Sequence, residues 1–350
     1  MASYSSSHGY SRSAQLSPTI IGHFSLDCNR QFHDDGRNLA RIAIDWDEAC
    51  EKAVYLDLNL AMEDVRRMNM EDFFNENGKL THVQQWIMRH PQSMCPKPDF
   101  VTSRYVARHL LTSIYSSETL KLRATRVGET IFMCQVISDD QLRQLNASED
   151  QLRMASRGLK FEQFMTDGSD PSTGNDENES YCVIVRTQLS EHSLLYGAEV
   201  DGMDKKLYSS NRLPRPTDLI ELKTHRLSRA RTQSLPKYKM RETWVQCALV
   251  GIPRVVCGFR DDRGVVRRLR SFRVANLPSD SQGFFSPDAM VTALNELLQW
   301  AKTEVEDDDP QAVYELSVTG RVFHSRRLSP AEADTARFLS PDFVKAMLSN

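Results

Sequence analysis

The chain has 350 residues and 40% apolar content, enough for one large core or two ordinary ones, and its 44 Lys and Arg against 47 Asp and Glu leave a formal charge of −3. A pI near 6.3 excludes a protein that coats nucleic acid by bulk charge, so any nucleic-acid site has to be a local basic patch. Seven cysteines, at 28, 50, 95, 134, 182, 247 and 257, are odd in number and lack Cys-x-x-Cys spacing, which argues against a disulfide framework or a zinc site and for a reducing compartment, cytosolic or nuclear.

Residues 1–18 are too poor in aliphatics to pack and are expected to form a disordered tail ahead of a single domain over 19–350. No apolar run reaches signal-peptide or transmembrane length, so no membrane association is expected. Order is expected from Thr19-Ile20-Ile21, with an extended piece at Tyr55–Asn59. Helical patterns follow at Met62–Phe74 and at Leu80–His90, the second with Val83, Trp86 and Ile87 on one face and Pro91 as its stop. Phe100–Tyr115 reads as another helix. Arg104 on its polar side is ordinary, whereas facing a cleft it could take a phosphate bidentately, and the residues alone favour the ordinary placement. Strands are predicted at Ala124–Arg126 and Ile131–Val136, then a helix from Ser138 to Arg157 with Ser138 and Asp139 as caps and Gly158 as its terminator. Glu162 then reads as an exposed loop acid, and Asp167–Ser180 as a surface loop.

Tyr181–Val185 and Ser193–Tyr196 are apolar strand material leading to Glu199-Val200-Asp201, and a loop later comes Glu221-Leu222-Lys223. Alternate residues of a strand share a face, so pairing these two strands would converge three carboxylates beside one ammonium. Hard oxygen ligands on rigid strands suit Mg²⁺ or Mn²⁺, and a lysine beside such a metal can hold a scissile phosphate or orient a water, the chemistry of phosphodiester or pyrophosphate cleavage. Either motif alone would be read as two solvated strand edges with a cross-strand ion pair. Acids at the ends of buried strands, however, need a partner, and a cation is the obvious one.

Lys205, Lys206, Arg212, Arg215, Lys223, Arg226, Arg229, Arg231, Lys237, Lys239 and Arg241 follow closely, a solvated face or a receptor for a polyanion. Tyr238–Val250 is a predicted helix burying Met240, Trp244, Cys247 and Ala248, with Gln246 near that face and in need of partners. A strand at Arg254–Phe259 turns through Asp262-Arg263-Gly264 into Val265–Phe272. A helix at Ser286–Val305, a hydrated acidic run at Glu304–Asp309, a strand at Val313–Val318 and a terminal helix at Pro330–Leu348 complete the chain. There is no Gly-rich phosphate loop, nucleophile elbow or Ser-His-Asp arrangement.

The ordered set Arg104, Gly158-x-x-x-Glu162, Glu199-x-Asp201, Glu221-x-Lys223 and Gln246 resembles the DXO decapping exoribonuclease family, including its fungal branch that partners the nuclear 5′-to-3′ exoribonuclease. Ile21–Asp27, Leu56–Leu60, Gly251–Arg260 and Ala301–Pro310 also look like family segments, so the likeness spans about 19–320. It implies a mixed α/β fold of two mixed β-sheets flanked by helices, with a core similar to the PD-(D/E)xK nucleases. It further implies that Glu162, Glu199, Asp201 and Glu221, with the Leu222 main-chain carbonyl, hold one or two Mg²⁺ or Mn²⁺ ions. Lys223 and Gln246 would contact the scissile phosphate and the attacking water, and Arg104 an RNA phosphate. The implied substrates are RNA 5′ ends, capped, NAD-capped or triphosphate, with 5′-to-3′ degradation of the body in some members. The implied location is the nucleus, with the cytoplasm as an additional one, and a nuclear exoribonuclease is the implied protein partner. The family places tryptophan before this arginine and glycine after it, where this chain has Ser103 and Tyr105.

Overall fold

A computed structural model of the chain describes residues 16–43, 53–69, 72–73, 75–76, 79–136, 149–209, 212–227 and 234–349. Numbered in chain order, the strands are β1 (Leu16–Leu26), β2 (Phe32–His33), β3 (Arg41–Ile42), β4 (Ala53–Asp57), β5 (Phe100–Ser103), β6 (Leu120–Val127), β7 (Thr130–Gln135), β8 (Ser180–Leu189), β9 (His192–Glu199), β10 (Gly202–Asp204), β11 (Leu219–Arg226), β12 (Arg254–Arg260), β13 (Val265–Arg273), β14 (Tyr314–Thr319) and β15 (Val322–Arg327). The principal helices are α1 (Thr81–Arg89), α2 (Arg104–Thr112), α3 (Glu149–Met165), α4 (Lys237–Ala248), α5 (Pro287–Glu304), α6 (Pro330–Ala336) and α7 (Pro341–Leu348). The strands form a nine-stranded sheet ordered β15-β14-β6-β7-β5-β9-β8-β1-β2 and a six-stranded sheet ordered β3-β10-β11-β12-β13-β4. Both sheets mix parallel and antiparallel pairs, as in the mixed α/β architecture expected from the sequence.

The main core joins the inner faces of the large sheet to α2, α4 and α5 through residues such as Phe100, Leu110, Tyr196, Val245, Leu294 and Leu298. Each such side chain, taken fully out of water, contributes about 1.5–3 kcal/mol. A smaller cluster of Ile42, Phe161, Met165, Leu222 and Val256 packs α3 onto the six-stranded sheet. Gly258 makes that packing possible. A Cβ built there would lie 2.6 Å from the Phe161 ring, so the missing side chain lets the ring lie on β12 and fixes the helix that carries Glu162.

Several elements depart from expectation. β1 begins at Leu16, with Leu16 opposite Leu189, so the last residues assigned to a tail are strand. Of the predicted Met62–Phe74 helix only Asp72 and Phe73 are α-helical among the described residues, the Phe73 N–H bonding to the Asn69 carbonyl at 3.0 Å. A 3₁₀ turn spans Met62–Asp64, and beyond it the Arg66 N–H bonds to the Asn175 carbonyl while the Met68 N–H reaches the Glu177 carboxylate, so tertiary partners take the donors a helix would need. Phe100–Ser103 is a strand and not the first turn of a helix, because these residues pair with both β7 and β9. The helix predicted at Ser138–Arg157 is described only from Glu149, its proposed caps lying outside the described residues, and it runs through Gly158 to Met165. Edge strand β15, with alternate residues exposed, was not anticipated. The terminal helix is two helices, because Pro341 cannot continue the first and serves as the opening residue of the second.

Candidate active site

The site lies where the two sheets meet. Ser103 on β5 is in parallel register with Gly197 on β9, so Arg104 and Glu199 leave the large sheet at the same edge. Ser103 also caps α2, its hydroxyl accepting from the Val106 N–H at 3.3 Å, which starts the helix at Arg104. After Glu199 the chain crosses to the six-stranded sheet, where β10 pairs antiparallel with β11, Gly202 opposite Ile220. Asp201 therefore sits in the crossing, next to Glu221. The expected direct pairing of the Glu199 and Glu221 strands does not occur, since Glu199 is opposite Cys182 on β8.

A cleft of about 880 Å³ opens above this edge, and its wall includes Arg104, Tyr105, Arg108, Gly158, Glu162, Glu199 and Gln246. Gly158 and Glu162 are four residues apart on α3 and so share the helix face toward the cleft. This corrects the loop reading of Glu162. Arg104 is likewise in the cleft, not on an ordinary polar face, and its Nη1 is buried without a hydrogen-bond partner among the described residues. Gln246, on the cleft side of α4, donates through Nε2 to Glu221 Oε1, and the Lys223 ammonium donates to the same oxygen. Glu221 is wholly buried, and its other oxygen, Oε2, has no partner among the described residues. Asp201 Oδ2 accepts from the Leu222 N–H at 2.6 Å, while the Leu222 side chain turns into the core beneath the six-stranded sheet.

Charge confirms the crowding. Burial pushes the Glu162 carboxyl well up from its ordinary range, and Asp201, Glu199 and Glu221 push it further, against the pull of Lys223. Asp201 is pushed up to about 7 by burial and by Glu221. Glu199 borders solvent in the cleft, but protein surrounds it, and burial raises its proton affinity while Arg104 and Arg30 oppose. Burial alone would lower Lys223, yet Glu221 and Asp201 outweigh it and hold the ammonium charged. The residues fit a divalent cation by two criteria: hard oxygen donors that repel one another, and a buried carboxylate oxygen with nothing to accept from. Among the described residues no three His, Cys, Asp or Glu side chains form a ready cage, so chelation calls for side-chain rotation of the acids about their fixed backbones.

The basic stretch serves mainly its own acids. Arg212 and Arg215 both bond to the buried Asp218, Arg226 pairs with Asp262, and Lys239 pairs with Glu242. Arg229 and Arg231 lie outside the described residues, as does Cys50, and the six described cysteines are free thiols. Arg108, which sequence reasoning passed over, joins Arg104 in the cleft wall. Its signal was the four-residue spacing from Arg104 on one helix.

A model of the RAI1-like PD-(D/E)XK nuclease family matches residues 16–344. The decapping and exoribonuclease protein of Xenopus laevis is 31% identical over 323 residues, covering 85% of this chain and 78% of that protein. The decapping and exoribonuclease protein Rai1 of Drosophila melanogaster is 29% identical over 326 residues, covering 86% and 84%. Among solved structures, Scheffersomyces stipitis Rai1 in complex with (3′-NADP)+ and calcium ion shares the fold with a TM-score of 0.80 at 20% identity, over 96% of this chain and 98% of that one. Candida albicans Rai1 in complex with pU5-Mn2+ gives 0.78 at 17% identity, over 96% and 97%.

Proposed function

The chain belongs to the RAI1-like PD-(D/E)XK nuclease family, and from that membership and the chemistry of the cleft we propose that it is a metal-dependent hydrolase of RNA 5′ ends. Its substrates in this reading are non-standard, incompletely methylated or NAD-type caps and 5′-triphosphates, with distributive 5′-to-3′ degradation of the body and a place in nuclear RNA quality control. The observation that carries the proposal is the convergence of Glu162, Glu199, Asp201 and Glu221 beside Lys223, Gln246 and Arg104, whose buried Nη1 has no hydrogen-bond partner among the described residues. The relatives named for decapping and the neighbours bound to pU5 or (3′-NADP)+ support the choice of RNA and of its 5′ end.

Glu162, Glu199, Asp201 and Glu221, with the Leu222 carbonyl, would hold Mg²⁺ or Mn²⁺, one or two ions. A bound ion supplies positive charge toward the phosphate and lowers the pKa of a coordinated water. Arg104 Nη1, already stripped of water, receives a phosphate oxygen, which is worth more in a buried setting than at the surface. Lys223, anchored by Glu221, places a fixed ammonium where negative charge develops on the phosphate. Gln246 gives its Nε2 to Glu221, leaving Oε1 to accept a hydrogen bond from the attacking water and aim its lone pair.

Purified protein incubated with NAD-capped, unmethylated-capped, triphosphate and monophosphate RNAs in Mg²⁺ or Mn²⁺ should release the 5′ group from at least one end type. Glu199→Ala with Asp201→Ala should reduce that rate by roughly a hundredfold or more. If the unaltered protein matches the double variant on every end in both metals, the hydrolase reading fails. A partner that shields RNA ends or stabilises a nuclear exoribonuclease then becomes the better description.

A further inference from the structure

Tyr105 follows Arg104 on the first turn of α2 and lines the same cleft, yet it is 41% exposed. Its ring is not left to swing. The His109 imidazole lies against it with centroids 4.1 Å apart and planes tilted by 38°, and the Arg108 guanidinium sits 5.5 Å from its centroid. His109 Nδ1 is in turn 2.8 Å from the Tyr105 carbonyl oxygen, so the imidazole is tied to the same turn. The result is a braced aromatic surface beside a buried guanidinium nitrogen that has no partner among the described residues.

Single-stranded nucleic acid is held by that pair of features repeated, cationic groups that follow the backbone and aromatic faces on which bases stack. We propose that Tyr105 is a base-stacking residue for the nucleotide whose phosphate Arg104 receives, so that it governs the grip on the RNA strand and not the chemical step. The inference rests on the RNA 5′-end reading and names a substrate contact within it. The structural alternative is a helix-surface pair of Tyr105 with His109, which stabilises α2 and touches no ligand. It predicts no dependence on the bases of the RNA.

The test is fluorescence anisotropy with 5′-phosphorylated pentaribonucleotides, one intact and the others each lacking a single base, in Ca²⁺. For the unaltered protein, affinity should fall roughly tenfold when one particular base is missing. Tyr105→Ala should show that same loss on the intact strand and no further loss at that position, while Tyr105→Phe should behave like the unaltered protein. Equal binding by Tyr105→Ala and the unaltered protein, or a missing-base penalty that persists in full in Tyr105→Ala, overturns the inference and leaves the 5′-end reading standing. Failure of the unaltered protein to bind any of the strands overturns both.

Discussion

Glu221 divides its two oxygens unequally: Lys223 and Gln246 share one, and the other is buried with no partner among the described residues. A carboxylate so placed is costly unless a cation completes it, which is why residue chemistry points to a metal site before any comparison is made. The strand acids were legible because their two-residue spacing follows directly from strand geometry. Arg104 was not, since helix phase cannot say which polar face lines a cleft. His82, in the cleft wall, makes a different demand on the fold. Burial, and then the charge of Arg30, lower its pKa to about 4, so the folded protein keeps it neutral. The sign follows: its contribution is complete above the unfolded value near 6.5 and is lost as pH falls through 6.5 toward 4. By pH 5 the loss should reach about 2 kcal/mol. Urea unfolding at pH 7.5 and pH 5 should show it, and His82→Gln should flatten the difference. An unchanged difference in that variant would remove His82 from the account.

At the scale of elements, α3 shows how a local rule can mislead. Gly158 has the profile of a helix terminator, but the helix continues, because Phe161 and Met165 bury beneath it and Lys160, fully buried, donates to Gln163 and to the Pro171 and Thr173 carbonyls at 2.7, 3.0 and 2.7 Å. Those contacts outweigh the roughly 1 kcal/mol that glycine costs inside a helix. The gain from that cost is room, since among the described residues nothing beyond the helix's own adjoining backbone lies within 4 Å of where a Cβ would stand and the residue borders the cleft. Gly158→Ala should therefore raise thermal stability by about 1 kcal/mol, seen as a higher Tm, whereas Gly158→Phe should fold but lose RNA affinity by occupying the cleft. A lower Tm for Gly158→Ala would show that the position needs glycine for its backbone and not for space. The helices α1 and α5 were legible for the opposite reason, in that their periodic apolar faces agree with the packing they meet, whereas on α4 the expected Trp244 and Ala248 are only half-buried and Thr243 and Val245 are buried in addition to Met240 and Cys247.

For the whole molecule, the decisive arrangement is the passage of the chain from one sheet to the other at Val200-Asp201. The sequence shows acids on strands but not which strands are neighbours, because pairing over long separations is set by the assembled core and leaves no local trace. The fold class was nevertheless readable through the order of the motifs, and two sheets and a helix, instead of one strand pair, bring the acids near enough to feel one another's charge, although among the described residues no three form a ready cage. Anything that binds across that junction ties the six-stranded sheet to the nine-stranded one, so a bound cation should stabilise the protein as a unit.

The most direct measurement is a calorimetric titration of Mn²⁺ into the protein and into Glu199→Ala with Asp201→Ala, paired with thermal unfolding of each in the presence of the ion. Saturable binding of one or two ions and a raised Tm are predicted for the unaltered chain, with both lost in the double variant. Equal Mn²⁺ binding and an equal Tm change in the two proteins would contradict the account.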